Sequence, residues 1–156
     1  MRSWGGPAFM FRGHHPTRVD EKGRFKVPAE YKHEIDESYG AQFYITSKDG
    51  KIAQIYPLKV WERVEREISA QRPANPAYRK FLDATSYYGQ VMEMDGQGRL
   101  LLPGLLREKA GLKGDVAVVG KLERLDVRIA EDYRKEVEEN PFTPEDDEAL
   151  AKLGIW

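Results

Sequence analysis

The chain has 156 residues, 40% of them hydrophobic and 11% aromatic, enough to build a core in one domain or two small ones. Twenty-five Lys and Arg against 26 Asp and Glu leave a net charge of −1, which argues against a monomer that coats nucleic acid by charge alone. Cysteine is absent, so disulfides, thiolate nucleophiles and Cys-ligated metal centres are excluded, and a reducing compartment is the expectation.

The opening residues "MRSWGGPAF" lack the apolar stretch of a secretory signal and read as an extension over 1–9, with Met10 as an alternative start. No apolar run approaches the length of a membrane span, so a cytoplasmic protein without a membrane partner is expected. Next comes "VDEKGRFKVP" at 19–28, a turn between two short strands. Residues two apart share a strand face, so Val19, Phe25 and Val27 point one way and Arg18, Asp20, Arg24 and Lys26 the other. Gly23 allows the positive φ of a tight turn, and the Asp20 carboxylate can accept turn N–H groups while pairing with Arg24. A guanidinium held at a fixed angle suits phosphate oxygens or the O6/N7 edge of guanine.

"AEYKHEI" then predicts a short helix, followed by strands "QFYIT" (42–46) and "IAQIY" (52–56) around a Lys48-Asp49-Gly50-Lys51 hairpin turn. Pro57 opens a helix with Val60, Trp61, Val64 and Ile68 on one face, and Asn75-Pro76 caps another carrying Tyr78, Phe81 and Leu82. At 94–103, "MDGQGRLLLP" repeats the first turn. Asp20, Gly23, Arg24 and Pro28 return as Asp95, Gly98, Arg99 and Pro103, each 75 positions on (95 less 20). Helix "GLLREKA" and strands "DVAVV" (115–119) and "LDVRI" (125–129) complete the copy, so the chain carries an internal duplication. Each unit of about 45 residues has barely enough core to stand alone, so the two are expected to pack together or against other chains.

Charge runs from head to tail. Residues 1–35 hold seven Lys or Arg against four acids, while 136–156 hold seven acids against Lys152. This pattern reads as a binding face plus an acidic tail, in which Thr143-Pro144 with Asp146 starts a helix over 144–153. In the second turn Arg18, Lys22 and Lys26 are matched by Glu93, Gln97 and Leu101. The first copy is therefore read as the nucleic-acid face, through Arg24, Arg18, Lys22, Lys26 and Arg12. The second is read as mainly structural, with Asp95, Gly98 and Arg99 bracing their turn as Asp20 and Gly23 brace theirs, and with Leu101 buried against another subunit or domain. Trp61 and Trp156 are read as packing residues.

The enzyme readings are thin. Asp20 and Asp95 could form an acid/base pair, yet each sits beside an Arg that favours the ionised state. Adjacent His14 and His15 point to opposite strand faces, and with His33 they make a poor metal set. Gly96-Gln97-Gly98 lacks the remaining residues of a nucleotide-binding loop. No catalytic residue, metal, cofactor or small-molecule substrate is expected.

With "MFRG" (10–13), the two Asp-x-x-Gly-Arg turns, "VPAEY", "IYPLKVWE" (55–62), "LLREKAGL" and "VVG" (118–120) in view, the chain resembles the MraZ family of bacterial regulators, grouped with the AbrB and SpoVT type of DNA-binding β-domains. The resemblance spans about residues 10–135 and implies a mainly β fold with helices (α+β), as two tandem split β-barrel domains. It gives a domain at 10–59, a helical connection at 60–86, a second domain at 87–135 and an acidic tail at 136–156. It further implies a ring-shaped homo-oligomer that binds short direct repeats in double-stranded DNA, at the promoter of the cell-division and cell-wall gene cluster, as a nucleoid-associated repressor. Arg24 is the position the resemblance associates with DNA binding. Ile129 stands where the family commonly has Trp, and 1–9 have no family counterpart. An antitoxin-like or scaffolding β-protein, and last a small hydrolase using Asp20 and Asp95, are the competing readings.

Overall fold

Alternation of apolar residues decides which way each short strand of this chain turns. The computed structural model describes residues 9–71 and 75–156. The extension expected at 1–9 thus lies outside the described residues except for Phe9, whose ring meets Phe11 edge-on at 5.4 Å. The first copy runs β1 (His14–Val19), β2 (Arg24–Lys26), α1 (Ala29–Ser38), β3 (Gln42–Thr46), β4 (Ala53–Pro57), α2 (Leu58–Ala70) and α3 (Pro76–Tyr87). The second repeats the order as β5 (Gln90–Glu93), β6 (Arg99–Leu101), α4 (Gly104–Ala110), β7 (Gly114–Lys121), β8 (Arg124–Ile129), α5 (Ala130–Glu139) and α6 (Pro144–Ala151).

The two copies interleave. Six strands form one antiparallel sheet in the order β1-β7-β8-β4-β3-β5, and the remaining two form a ribbon, β2-β6. First-copy β1 pairs with second-copy β7, second-copy β5 pairs with first-copy β3, and β4 meets β8 in the centre with Gln54 opposite Asp126. On the ribbon Phe25 faces Leu100, its own counterpart 75 positions on, so a pseudo-twofold axis passes between them. Each small unit solves its shortage of core by borrowing strands from the other: Phe25, Phe43, Ile45, Ile55, Leu100, Leu106, Val118 and Leu125 lie in one continuous buried cluster. The mixed α+β fold expected from the sequence is what the chain forms, with an open rather than closed sheet.

Local signals explain the helices. Asn75 caps α3 by accepting the Ala77 N–H, and Thr143 and Asp146 form a reciprocal box at the start of α6. Trp61 is buried and stacks on Tyr44 at 4.8 Å and Phe81 at 6.1 Å, as expected of a packing residue. Trp156 is the reverse: it is 68% exposed, its indole N–H donating to Asp147. Leu101, expected to be buried, is 42% exposed on this chain. Helix α5 buries no residue completely; Tyr133 lies half-buried against His14, and Arg134 laces the exposed side to Glu131 and Glu138. Among the described residues no helix is long and apolar enough to cross a membrane.

Candidate nucleic-acid interface

Two turns of the same construction flank the ribbon. In the first, the Asp20 N–H donates to Arg24 O and the Gly23 N–H to Asp20 O, at 2.8 and 2.9 Å, with Gly23 at φ +87°. Asp20 Oδ1 accepts the N–H groups of Lys22 and Arg24 at 2.9 Å each, and Oδ2 accepts Arg24 Nε–H at 3.0 Å. In the second turn Asp95 Oδ1 accepts Gln97 and Arg99 N–H at 2.9 Å each, Oδ2 accepts Arg99 Nε–H at 2.8 Å, and Gly98 has φ +77°. Hydrogen bonding by the Arg24 amide, opposed by partial desolvation and aided by the guanidinium, holds the Asp20 carboxyl below the usual carboxylate range. The Arg99 amide and side chain do the same to Asp95. Both carboxylates are therefore ionised and saturated with donors, the wrong state for a general acid.

What the turns present is the free end of each guanidinium. Nε of Arg24 and Arg99 is committed to the aspartate, which fixes the plane of the fork. The Nη groups carry no hydrogen bond to other described residues and remain available to an acceptor outside the chain. Both side chains are about one-third exposed or slightly less, so they lie at the surface with their stems packed.

Cross-strand register brings these forks together. Arg24 lies opposite Leu101 and Lys26 opposite Arg99, while Phe25 and Leu100, 1% and 0% exposed, point inward between them. Backbone bonds from the Val27 N–H to Gly98 O (2.8 Å) and the Leu102 N–H to Gly23 O (2.9 Å) extend the ladder into both turns. Arg24, Lys26, Arg99 and Leu101 consequently share the outer face of one two-stranded ribbon. The second copy, read as mainly structural, places its arginine on the same ribbon face as that of the first, with the same brace.

The other expected residues divide. Lys22 is exposed in the first turn and Lys26 on the ribbon. Arg18 is on β1, with its Nη1 2.6 Å from Asp115 Oδ1 and both side chains mostly exposed, an arrangement that stabilises little. It shares a cleft of about 780 Å³ with Asp20, Glu21, Arg107 and Lys113 beside the first turn. Arg12 precedes the far end of β1, well away from the turn; its carbonyl accepts the Tyr31 hydroxyl.

Two cations escaped the sequence reading. A Cβ built on Gly23 would run into the Arg107 guanidinium of α4, and one on Gly98 would touch Lys32 of α1 at 3.5 Å. Lys32 and Arg107 are themselves 75 positions apart, so each copy lays a cation over the other copy's turn. Lys32 is paired with Asp36 at 3.0 Å, whereas no such ion pair holds Arg107 among the described residues. The duplication register could have revealed both.

His14 and His15 face opposite sides of β1: His14 lies against Tyr133 at 5.2 Å, and His15 Nε2 is 2.9 Å from the Tyr31 hydroxyl. His33 sits 3.4 Å from Glu37 on α1. Among the described residues no three His, Asp or Glu side chains converge.

Residues 10–84 and 89–153 match the family model described as "MraZ protein, putative antitoxin-like". The chain is 57% identical over 146 residues to a "Transcriptional regulator MraZ" of Acidobacterium capsulatum, covering 94% of this chain and all of the relative. It is 54% identical over 147 residues to a protein of the same name from Koribacter versatilis, again covering 94% of this chain and all of the relative. A third, from Nitrosomonas eutropha, is 34% identical over 76% of this chain and 80% of its own length. The first matched segment takes in α2 and most of α3, and the second takes in α5 and α6.

Proposed function

The chain belongs to the MraZ family, and from that premise we propose that it is a DNA-binding transcriptional regulator, not an enzyme, whose recognition surface is the β2–β6 ribbon. The observation that carries this reading is the pair of carboxylate-braced arginines, Arg24 and Arg99, set diagonally on one outward face. A two-stranded ribbon is thin enough to enter the major groove, and a fixed guanidinium fork can bond the guanine edge in two places. Lys22, Lys26 and Arg107 surround it as phosphate contacts, with Arg18 at the margin and Arg12 more distant.

The two copies, at 10–59 and 87–135 with 60–86 between them, act as one composite unit and not as separate binders. In the full reading the protein forms a ring on short direct repeats and represses the promoter of the cell-division and cell-wall genes, at the nucleoid. A net charge of −1 per chain is then no obstacle: neighbours presenting the same basic face to successive repeats raise the effective concentration of each weak contact. The test is a footprint of the purified protein on the DNA upstream of its own gene, paired with the mass of the oligomer. Periodic protection by a large assembly supports the reading. Protection of a single palindrome by a dimer refutes the direct repeats and the ring.

A further inference from the structure

A ribbon with a perfect twofold axis would offer DNA the same face in either direction. The axis between Phe25 and Leu100 relates Arg24 to Arg99 and Lys26 to Leu101. The first pair is identical in residue, brace and register; the second is not. Within the two strands of the outer face, Lys26 against Leu101 is the difference. Both side chains are exposed, and each lies beside the other copy's arginine: Leu101 next to Arg24, Lys26 next to Arg99.

We propose that this unlike pair sets the polarity with which one chain lies on a duplex. The inference rests on the DNA-binding reading above and adds a specificity determinant to it. Arg24 with Leu101 forms a guanidinium flanked by an apolar side chain, which suits a guanine next to the 5-methyl group of a thymine. Arg99 with Lys26 forms a purely cationic pair, which suits a guanine next to a phosphate. Turning the chain end for end would put Lys26 on the methyl group and Leu101 on the phosphate, losing both neighbouring contacts together. Both losses fall on the same reversed orientation, so the parental orientation is favoured. The site read by a chain is accordingly asymmetric even though the fold is pseudo-symmetric.

The chain contains no cysteine, so a thiol introduced by Glu21→Cys in the exposed first turn is unique and can carry an iron–EDTA cleavage reagent. The probe is a short one-site duplex selected from a random pool by the unmodified full-length protein. Labelled Glu21→Cys protein is expected to cut the duplex on one side of the site only. In the same labelled background, Lys26→Leu with Leu101→Lys should move the cut to the opposite side, and Leu101→Lys alone should cut both sides about equally. Neither position touches the core, so these exchanges leave folding alone. Two-sided cutting by the labelled parent, or a double exchange that still cuts the parental side, overturns the inference while leaving DNA binding intact. A wild-type protein that retains no duplex from the pool refutes the DNA reading itself, and the inference with it.

Discussion

Replacing Arg24 by alanine removes a fork whose Nε is already committed to Asp20 and whose Nη groups have no hydrogen-bond partner among the described residues. If those groups bond a guanine edge, the loss is about 1–3 kcal/mol, or roughly 5- to 150-fold in affinity for one site. If the fork bonds a phosphate instead, the same change lowers the slope of log affinity against log salt by about 0.9. Arg99 has the same brace, at 2.8 Å in place of 3.0 Å, and stands on the same ribbon face. Arg99→Ala is therefore expected to lose affinity to a similar degree, although sequence alone marked it as a brace. Arg24→Lys keeps the charge but not the fork, and should retain the salt slope while losing discrimination between the selected duplex and a scrambled one. Fluorescence anisotropy on both duplexes at several salt concentrations, with oligomer mass as the control for folding, measures all of this. Wild-type affinity and discrimination in correctly assembled Arg24→Ala would refute the assignment, and wild-type behaviour of Arg99→Ala alone would return the second copy to a structural role.

Gly23→Ala and Gly98→Ala force a side chain into positive φ and should each cost about 1–3 kcal/mol, read as a lower thermal midpoint. Only Gly23→Ala also displaces Arg107, so it should weaken DNA binding more than Gly98→Ala does; equal binding losses would show that Arg107 does not contribute. Because the folded pKa values of Asp20 and Asp95 are lowered, their contribution is complete above about pH 5 and is lost as pH falls through the folded values. Carboxyl NMR titrations should place both below a free aspartate, near 3.9, and a value above that for either would contradict the brace. Deleting residues 140–156 removes no buried residue, so the thermal midpoint should hold, and a drop of several degrees would reveal packing that the chain alone does not have. Tighter and less salt-sensitive DNA binding by that truncation would mark the acidic segment as a competitor of the ribbon; unchanged binding would mark it as surface.

Local order was legible because it is written locally. The Asp-x-x-Gly-Arg turn, the Asn75 and Thr143 caps and the buried face of α2 each depend on residues within a turn or two of one another, and the 75-residue repeat shows by direct self-comparison. Strand partnership was not, because nothing in the patterns of β1, β3, β5 and β7 says that β1 must lie beside β7 and not beside a strand of its own copy. That gap hid the most important fact about the site, namely that Arg99 and Leu101 come to lie against Lys26 and Arg24. Helix α5 was missed for another reason. Its apolar stripe is short, Ala130, Tyr133 and Val137, and it follows directly on β8 with no side-chain cap to mark where strand gives way to helix. Leu101 is expected against another subunit or domain; on this chain it lies on the outer face of a three-residue strand whose middle residue alone is buried.

The central claim is that DNA meets this protein on the β2–β6 ribbon. Amide hydrogen exchange of the full-length protein, with and without the selected duplex, tests it directly. The account predicts that the segments 20–28 and 95–103 slow together on binding, while the α2–α3 face is unchanged. Protection confined to α2 and α3, with both turns exchanging as in the free protein, would contradict it.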